Sequence, residues 1–142
     1  MIGRTKLVDV VARRGSGEVV TQSSQPSIGQ KFLIIDDDPI FCQIISKLCN
    51  LNGIASTFLT SLKDLDSVNL SDYTAGIIDV HLDLANGVEV AECISAIVPT
   101  MPLMMISTSR FQAKKNSVDS LPFMHKSEGP QAIIEATTRL RA

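Results

Sequence analysis

The side chains best suited to chemistry in this sequence are Asp36, Asp37 and Asp38 in one run, Asp79 by itself, Ser107 and Lys126. Carboxylates held close together repel, and one of them tends to keep a proton. A hard divalent cation removes that conflict. Mg²⁺ takes oxygen ligands, keeps several waters and often completes its shell with a phosphate oxygen. Three acids and one ammonium leave room for such a cation, with a phosphoryl group lying between it and Lys126. One carboxylate then has to accept the group, and aspartyl phosphates are an established form of nucleophilic catalysis. Asp79 is the best acceptor, because it stands alone at the central strand, after the apolar run Gly76-Ile77-Ile78 and opposite the acidic pair. The cation and Lys126 would meet the charge on the transferring oxygens.

These residues lie far apart in the chain, so the elements between them must bring them together. From Lys31 onward strands and helices alternate. Phe32 to Ile35 reads as a buried strand, and Asp38-Pro39 as a helix start, with Asp38 the N-cap rather than a ligand. Ile40, Phe41, Ile44, Ile45 and Leu48 give that helix its apolar stripe, and Asn52-Gly53 ends it. Ile54 to Leu59 is a second strand. Ser61-Leu62-Lys63-Asp64 has the form of a capping box and predicts a helix carrying Leu62, Leu65 and Val68. Gly76 to Val80, Pro102 to Ser107 and Phe123 to His125 are further strands. A helix from about Gly87 to Val98 turns Val88, Ala91, Ile94 and Ile97 inward, and a last one begins at Gly129-Pro130. The polar segment from Thr108 to Ser120 is expected to hold a short or irregular helix.

Five strands alternating with helices predict an α/β fold: a doubly wound, five-stranded parallel sheet, flavodoxin-like, with helices on both faces. With the order 2-1-3-4-5, the strands ending at Asp36, Asp79, Ser107 and Lys126 are neighbours. Their carboxyl ends then form the crevice where open α/β sheets bind ligands.

Composition narrows the classes. The chain has 142 residues, 44% hydrophobic and 20% charged, which suits one soluble domain. A net charge of −2 argues against nucleic-acid binding through bulk positive charge. No apolar run is long enough to span a bilayer, and the N-terminus lacks a secretory pattern. Cys42, Cys49 and Cys93 suit free thiols in a reducing cytoplasm. Residues 1–30 read as a separate arm: Leu7, Val8, Val11 and Ala12 fit one stripe of a short helix, followed by a Gly/Ser/Gln-rich linker. The domain proper is 31–142.

The motifs together resemble the receiver domain of bacterial two-component response regulators, of the chemotaxis-regulator type. They are Phe32-Leu33-Ile34-Ile35-Asp36-Asp37-Asp38-Pro39, Gly76-Ile77-Ile78-Asp79-Val80-His81-Leu82 with Gly87 beyond it, Pro102-Leu103-Met104-Met105-Ile106-Ser107 and Phe123-Met124-His125-Lys126. The resemblance covers roughly residues 31 to 141. It implies Asp79 as phosphoacceptor, and Asp36, Asp37, Asp79 and the backbone carbonyl of His81 as holders of Mg²⁺. It also implies Ser107 as the hydroxyl that turns toward the phosphoryl group, Lys126 as the charged partner, and Phe123 as an aromatic that changes rotamer on activation. The donor would be a histidine kinase or phosphotransfer protein, and the output a protein contact, homodimerisation included. Such a chain is a switch rather than an enzyme with turnover.

Some positions depart from the family. Ser127 stands where Pro usually follows the lysine, so that loop is expected to be built differently. Asp83 stands where Pro is common. Thr108 replaces a small residue and is expected to narrow access to Asp79. The stretch between Ser107 and Lys126 is short, which puts a helix-four dimer face in doubt. These departures support an alternative, a phosphorylation-independent adaptor with the same fold. A small-molecule phosphatase is disfavoured, because His81 occupies the place where a second acid would act.

Overall fold

A computed structural model describes residues 29–83, 85–109 and 121–140. Most of the arm expected over residues 1–30 and most of the segment from Thr108 to Ser120 lie outside the described residues.

Five parallel strands form one sheet. They are β1 (Lys31–Ile35), β2 (Ala55–Leu59), β3 (Ala75–Asp79), β4 (Leu103–Ser107) and β5 (Phe123–His125), in the order β2-β1-β3-β4-β5. This is the order read from the sequence. The central strands are apolar at almost every position because the sheet is covered on both faces. Side chains alternate across it. Phe32, Ile34, Ile77, Met104 and Ile106 enter one core with Cys42, Ile45, Ile133 and Ile134. Leu33, Ile35, Ile78, Leu103 and Met105 enter a second core with Val90, Ala91 and Ile94.

Among the described residues three helices cover the sheet: α1 (Pro39–Leu51), α2 (Gly87–Ile97) and α3 (Pro130–Arg139). The Asp38 carboxylate caps α1, accepting from the Ile40 and Phe41 N–H groups at 3.0 and 3.3 Å. Pro39 fills the first helical position, where no N–H is needed. Gly53, with φ +76°, takes the left-handed conformation that ends the helix.

Three local expectations are corrected. The buried stripe of α1 is Cys42, Ile45 and Cys49, whereas Ile40 and Ile44 are 66% and 45% exposed. The helix rests on both the sheet and α3, and this turns it toward its cysteines. Likewise α2 buries Val90, Ala91 and Ile94, while Ile97 is 67% exposed. The capping box at Ser61 does cap, its hydroxyl accepting from the Lys63 N–H at 3.2 Å. The chain beyond it winds as a 3₁₀ turn, Leu62–Ser67, and then another, Leu70–Asp72, rather than as an α-helix. Side chains that bond the local backbone compete with α-helical pairing, as the Ser67 hydroxyl does by donating to the Asp64 carbonyl at 2.6 Å. Leu62, Leu65 and Val68 still pack against the core.

Cys42 and Cys49 are buried free thiols, as expected, and Cys93 is exposed. Burial pushes Cys49 up to about 11. Burial, joined by the negative charge of Asp36, pushes Cys42 up to about 12, so neither is a nucleophile at neutral pH. Among the described residues no helix is long and apolar enough to cross a membrane.

Candidate functional site

Parallel pairing fixes where the acidic residues fall. Ile34 lies opposite Ile77 and Ile35 opposite Ile78. One residue further on, that register sets Asp36 beside Asp79. On the other side Asp79 pairs with Ile106, and Ser107 pairs with His125. Asp36, Asp79, Ser107 and Lys126 therefore leave four adjacent strands at one edge of the sheet.

The Lys126 ammonium is 2.7 Å from Asp36 Oδ2 and 3.5 Å from Asp79 Oδ2. It also lies over the Phe41 ring, 4.5 Å from the centroid. Asp36 is wholly buried, and its Oδ1 accepts from the Asp38 N–H at 2.9 Å. Its carbonyl accepts from the Cys42 thiol at 3.2 Å. The Asp79 carboxylate accepts from the His81 N–H at 3.2 Å. Asp36, Asp37 and Asp79 each offer one carboxylate oxygen, all within 4.8 Å of one another. Oxygen donors this close suit a hard divalent cation.

Burial pushes Asp79 up to about 6, with the charges of Asp36 and then Asp37 adding to it, while Lys126 and the His81 N–H pull the other way. Burial works against the Lys126 charge, but the hydrogen bond and charge of Asp36, followed by Asp79, outweigh it and raise the ammonium above its ordinary value.

The Asp79 shift has a consequence for stability. Between its ordinary value, 3.8, and about 6 the folded chain binds more protons than the unfolded one. Stability therefore falls as pH rises through that window, and at neutral pH the ionised Asp79 weakens the fold. Asp79→Asn is expected to raise stability at pH 7.5 by on the order of 2 kcal/mol, and to give no such gain at pH 4. Urea melts of both proteins at the two pH values measure this; an equal shift at both would contradict the assignment.

Several contacts have no counterpart in the sequence reading. Phe41 appears in the sequence only as part of a helical stripe. The Asp37 carboxylate, as a hydrogen-bond acceptor for the protonated form and then as a negative charge, raises the Asp83 carboxyl. The departure from Pro at that position is the one signal that points to it. A cavity of about 250 Å³, lined by Asp37, Ser61, Leu62, Lys63 and Asp83 among others, opens beside the acids. The Ser107 hydroxyl bonds within its own loop. It accepts from the Ser109 N–H at 2.9 Å and donates to the Ser109 carbonyl at 3.2 Å. Phe123 is half-buried against the core that holds Leu33 and Ile35. The loop after Lys126 is a 3₁₀ turn, Lys126–Glu128, and no cis peptide occurs among the described residues.

Gly87 completes the site. A Cβ there would fall 1.8 Å from the Asp79 carbonyl oxygen and 2.9 Å from the Val80 Cα. The start of α2 packs directly on the backbone that carries Asp79, and its N–H donates to the Val80 carbonyl at 2.7 Å.

The overall shape has well-defined counterparts. The chain is similar to a CheY-like response regulator receiver domain protein from Methanospirillum hungatei JF-1, with TM-score 0.68 at 16% identity over 80% of this chain and 94% of that one. The chain has the response regulator receiver fold. A response regulator receiver protein from Sinorhizobium medicae WSM419 shares it, with TM-score 0.69 at 20% identity over 82% and 97% of the two chains. So does a response regulator from Burkholderia pseudomallei, solved with a phosphorylated aspartic acid, a calcium ion and citrate (TM-score 0.61, 18% identity, 76% of this chain and 66% of that one). No protein-family model matches the sequence, and no curated protein does. The receiver fold thus stands on the structure.

Proposed function

We propose that this chain is a phosphorylatable receiver switch that takes a phosphoryl group on Asp79 from a histidine kinase or phosphotransfer protein in the cytoplasm. The observation that supports it best is the Lys126 ammonium placed between Asp36 and Asp79, next to three carboxylate oxygens that fit one cation. Asp36, Asp37, Asp79 and the His81 carbonyl would hold Mg²⁺, which would neutralise charge on the phosphoryl oxygens when bound. The Asp79 carboxylate attacks phosphorus, the bond from phosphorus to the donor breaks, and the donor leaves with the electron pair. Lys126 bears on the same oxygens as a fixed positive charge. Ser107 must leave its turn with Ser109 to reach them, and Phe123 follows if the strand-end loops move. The output is a change in protein contacts, with a downstream target or a second copy of the chain.

Incubation with acetyl phosphate and Mg²⁺, followed by intact mass measurement, is expected to show one added phosphoryl group in the wild type and none in Asp79→Ala. Chelation of the metal is expected to abolish the adduct. No adduct in the wild type, or an adduct that survives Asp79→Ala, refutes the assignment. A partner bound equally well by both forms would favour the adaptor reading.

A further inference from the structure

The ring of His125 makes contacts that the phosphoacceptor site does not explain. His125 ends β5 and pairs in register with Ser107. Its Nε2 is 2.7 Å from the Thr108 carbonyl oxygen. Its Nδ1 is 2.7 Å from the Ser127 hydroxyl, and it accepts from the Ser127 N–H at 3.1 Å. A carbonyl only accepts, so Nε2 must carry hydrogen; an N–H only donates, so Nδ1 must be bare. Both nitrogens are used, and in one tautomer.

These contacts join two loops. Thr108 lies between Ser107 and Ser109, the two ends of the turn that occupies the Ser107 hydroxyl. Ser127 follows Lys126 in the 3₁₀ turn that His125 caps. To reach an oxygen on Asp79 the Ser107 hydroxyl must give up both bonds to Ser109, the bonds that close the turn around Thr108. Loosening that turn frees the Thr108 carbonyl that Nε2 holds.

We propose that His125 is a positioning residue, a latch that holds Ser107 in its resting turn and ties that turn to the segment carrying Lys126. The latch rests on the reading of Asp79 as phosphoacceptor, because only a group on Asp79 gives Ser107 a reason to move. The role falls to His125 because Ser127 has a backbone N–H and a hydroxyl to offer, which Pro would lack.

The test uses the full chain. Imidazole ¹⁵N NMR of the unmodified protein is expected to show His125 neutral, with hydrogen on Nε2 and Nδ1 accepting. Acetyl phosphate with Mg²⁺ is expected to change the Nε2 resonance. His125→Phe, which keeps a planar ring and removes both nitrogens, is expected to take up phosphate about fivefold faster, the factor carried by losing one ordinary hydrogen bond. Ser127→Ala, which keeps the Thr108 bond, is expected to stay within about twofold of wild type. Hydrogen on Nδ1, or a His125→Phe rate equal to or below that of wild type, overturns the latch. Should His125→Phe fail to fold, the ¹⁵N assignment and its response to acetyl phosphate decide. A wild type that gains no phosphate refutes the acceptor and with it the latch. A wild type that gains phosphate while the His125 resonances stay unchanged refutes the latch alone.

Discussion

Gly87→Ala is expected to lower the stability of the folded chain by about 3 kcal/mol or more, enough to lower the melting temperature by roughly 10 °C. The cause is space rather than backbone conformation. The added carbon would lie 1.8 Å from the Asp79 carbonyl oxygen and 2.7 Å from its carbon. Both are backbone atoms of the central strand, which is paired on both sides and cannot give way. Two other glycines grade the effect. At Gly76 the added carbon meets the end of the Leu103 side chain at 2.8 Å, which can turn aside at moderate cost. At Gly29 nothing lies within 4 Å, and alanine is expected to be nearly neutral. Thermal melts of the three variants should therefore rank Gly87→Ala far below Gly76→Ala, with Gly29→Ala close to wild type. A mild Gly87→Ala would mean that α2 does not pack directly on the Asp79 backbone.

The second large effect concerns Lys126. Lys126→Met keeps much of the volume and removes the charge from a wholly buried carboxylate. Breaking a buried pair from one side costs about 3–5 kcal/mol, because the remaining charge has no compensation. At pH 7.5 the expected loss is about 3 kcal/mol, the lower end of that range. The raised Lys126 ammonium gives its full contribution below the ordinary lysine value, 10.5, and loses it only as pH rises through the raised one, so the loss should hold across the neutral range. The double variant Asp36→Asn with Lys126→Met should recover a large part of it, since the penalty lies in the orphaned charge. Chemical denaturation of the two single variants and the double one measures the coupling. Strict additivity would show that the 2.7 Å pair contributes nothing.

These two residues also show how far the site is legible in the sequence. Gly87 is visible there as a glycine at a fixed distance from Asp79, but its reason, contact with a carbonyl oxygen across a turn, is not. Lys126 is expected beside the acids and is there. Its shorter contact is to Asp36 rather than Asp79, and the Phe41 ring lies against it. Asp37 is expected as a cation holder, and only the absence of Pro at position 83 hints that its carboxylate acts on Asp83. The His125 bridge is equally hidden, because its partners are a backbone carbonyl and a residue distinguished only by not being Pro. Contacts to backbone atoms leave no trace in side-chain types.

The amino-acid sequence alone settled the number of strands and their places along the chain, their turn residues, the Asp38 cap and the residues at the strand ends. Those features arise from local patterns: apolar runs of strand length, Asp-Pro, Asn-Gly and Gly-Pro breaks, and the short reach of capping groups. Tertiary structure decided which face of α1 is buried, whether the chain after Ser61 winds as α or 3₁₀, which carboxylate Lys126 meets first, and where the Ser107 hydroxyl points. Each of these is a competition between partners distant in the chain. It is settled by register and by packing against two covered faces, and no local pattern records the outcome.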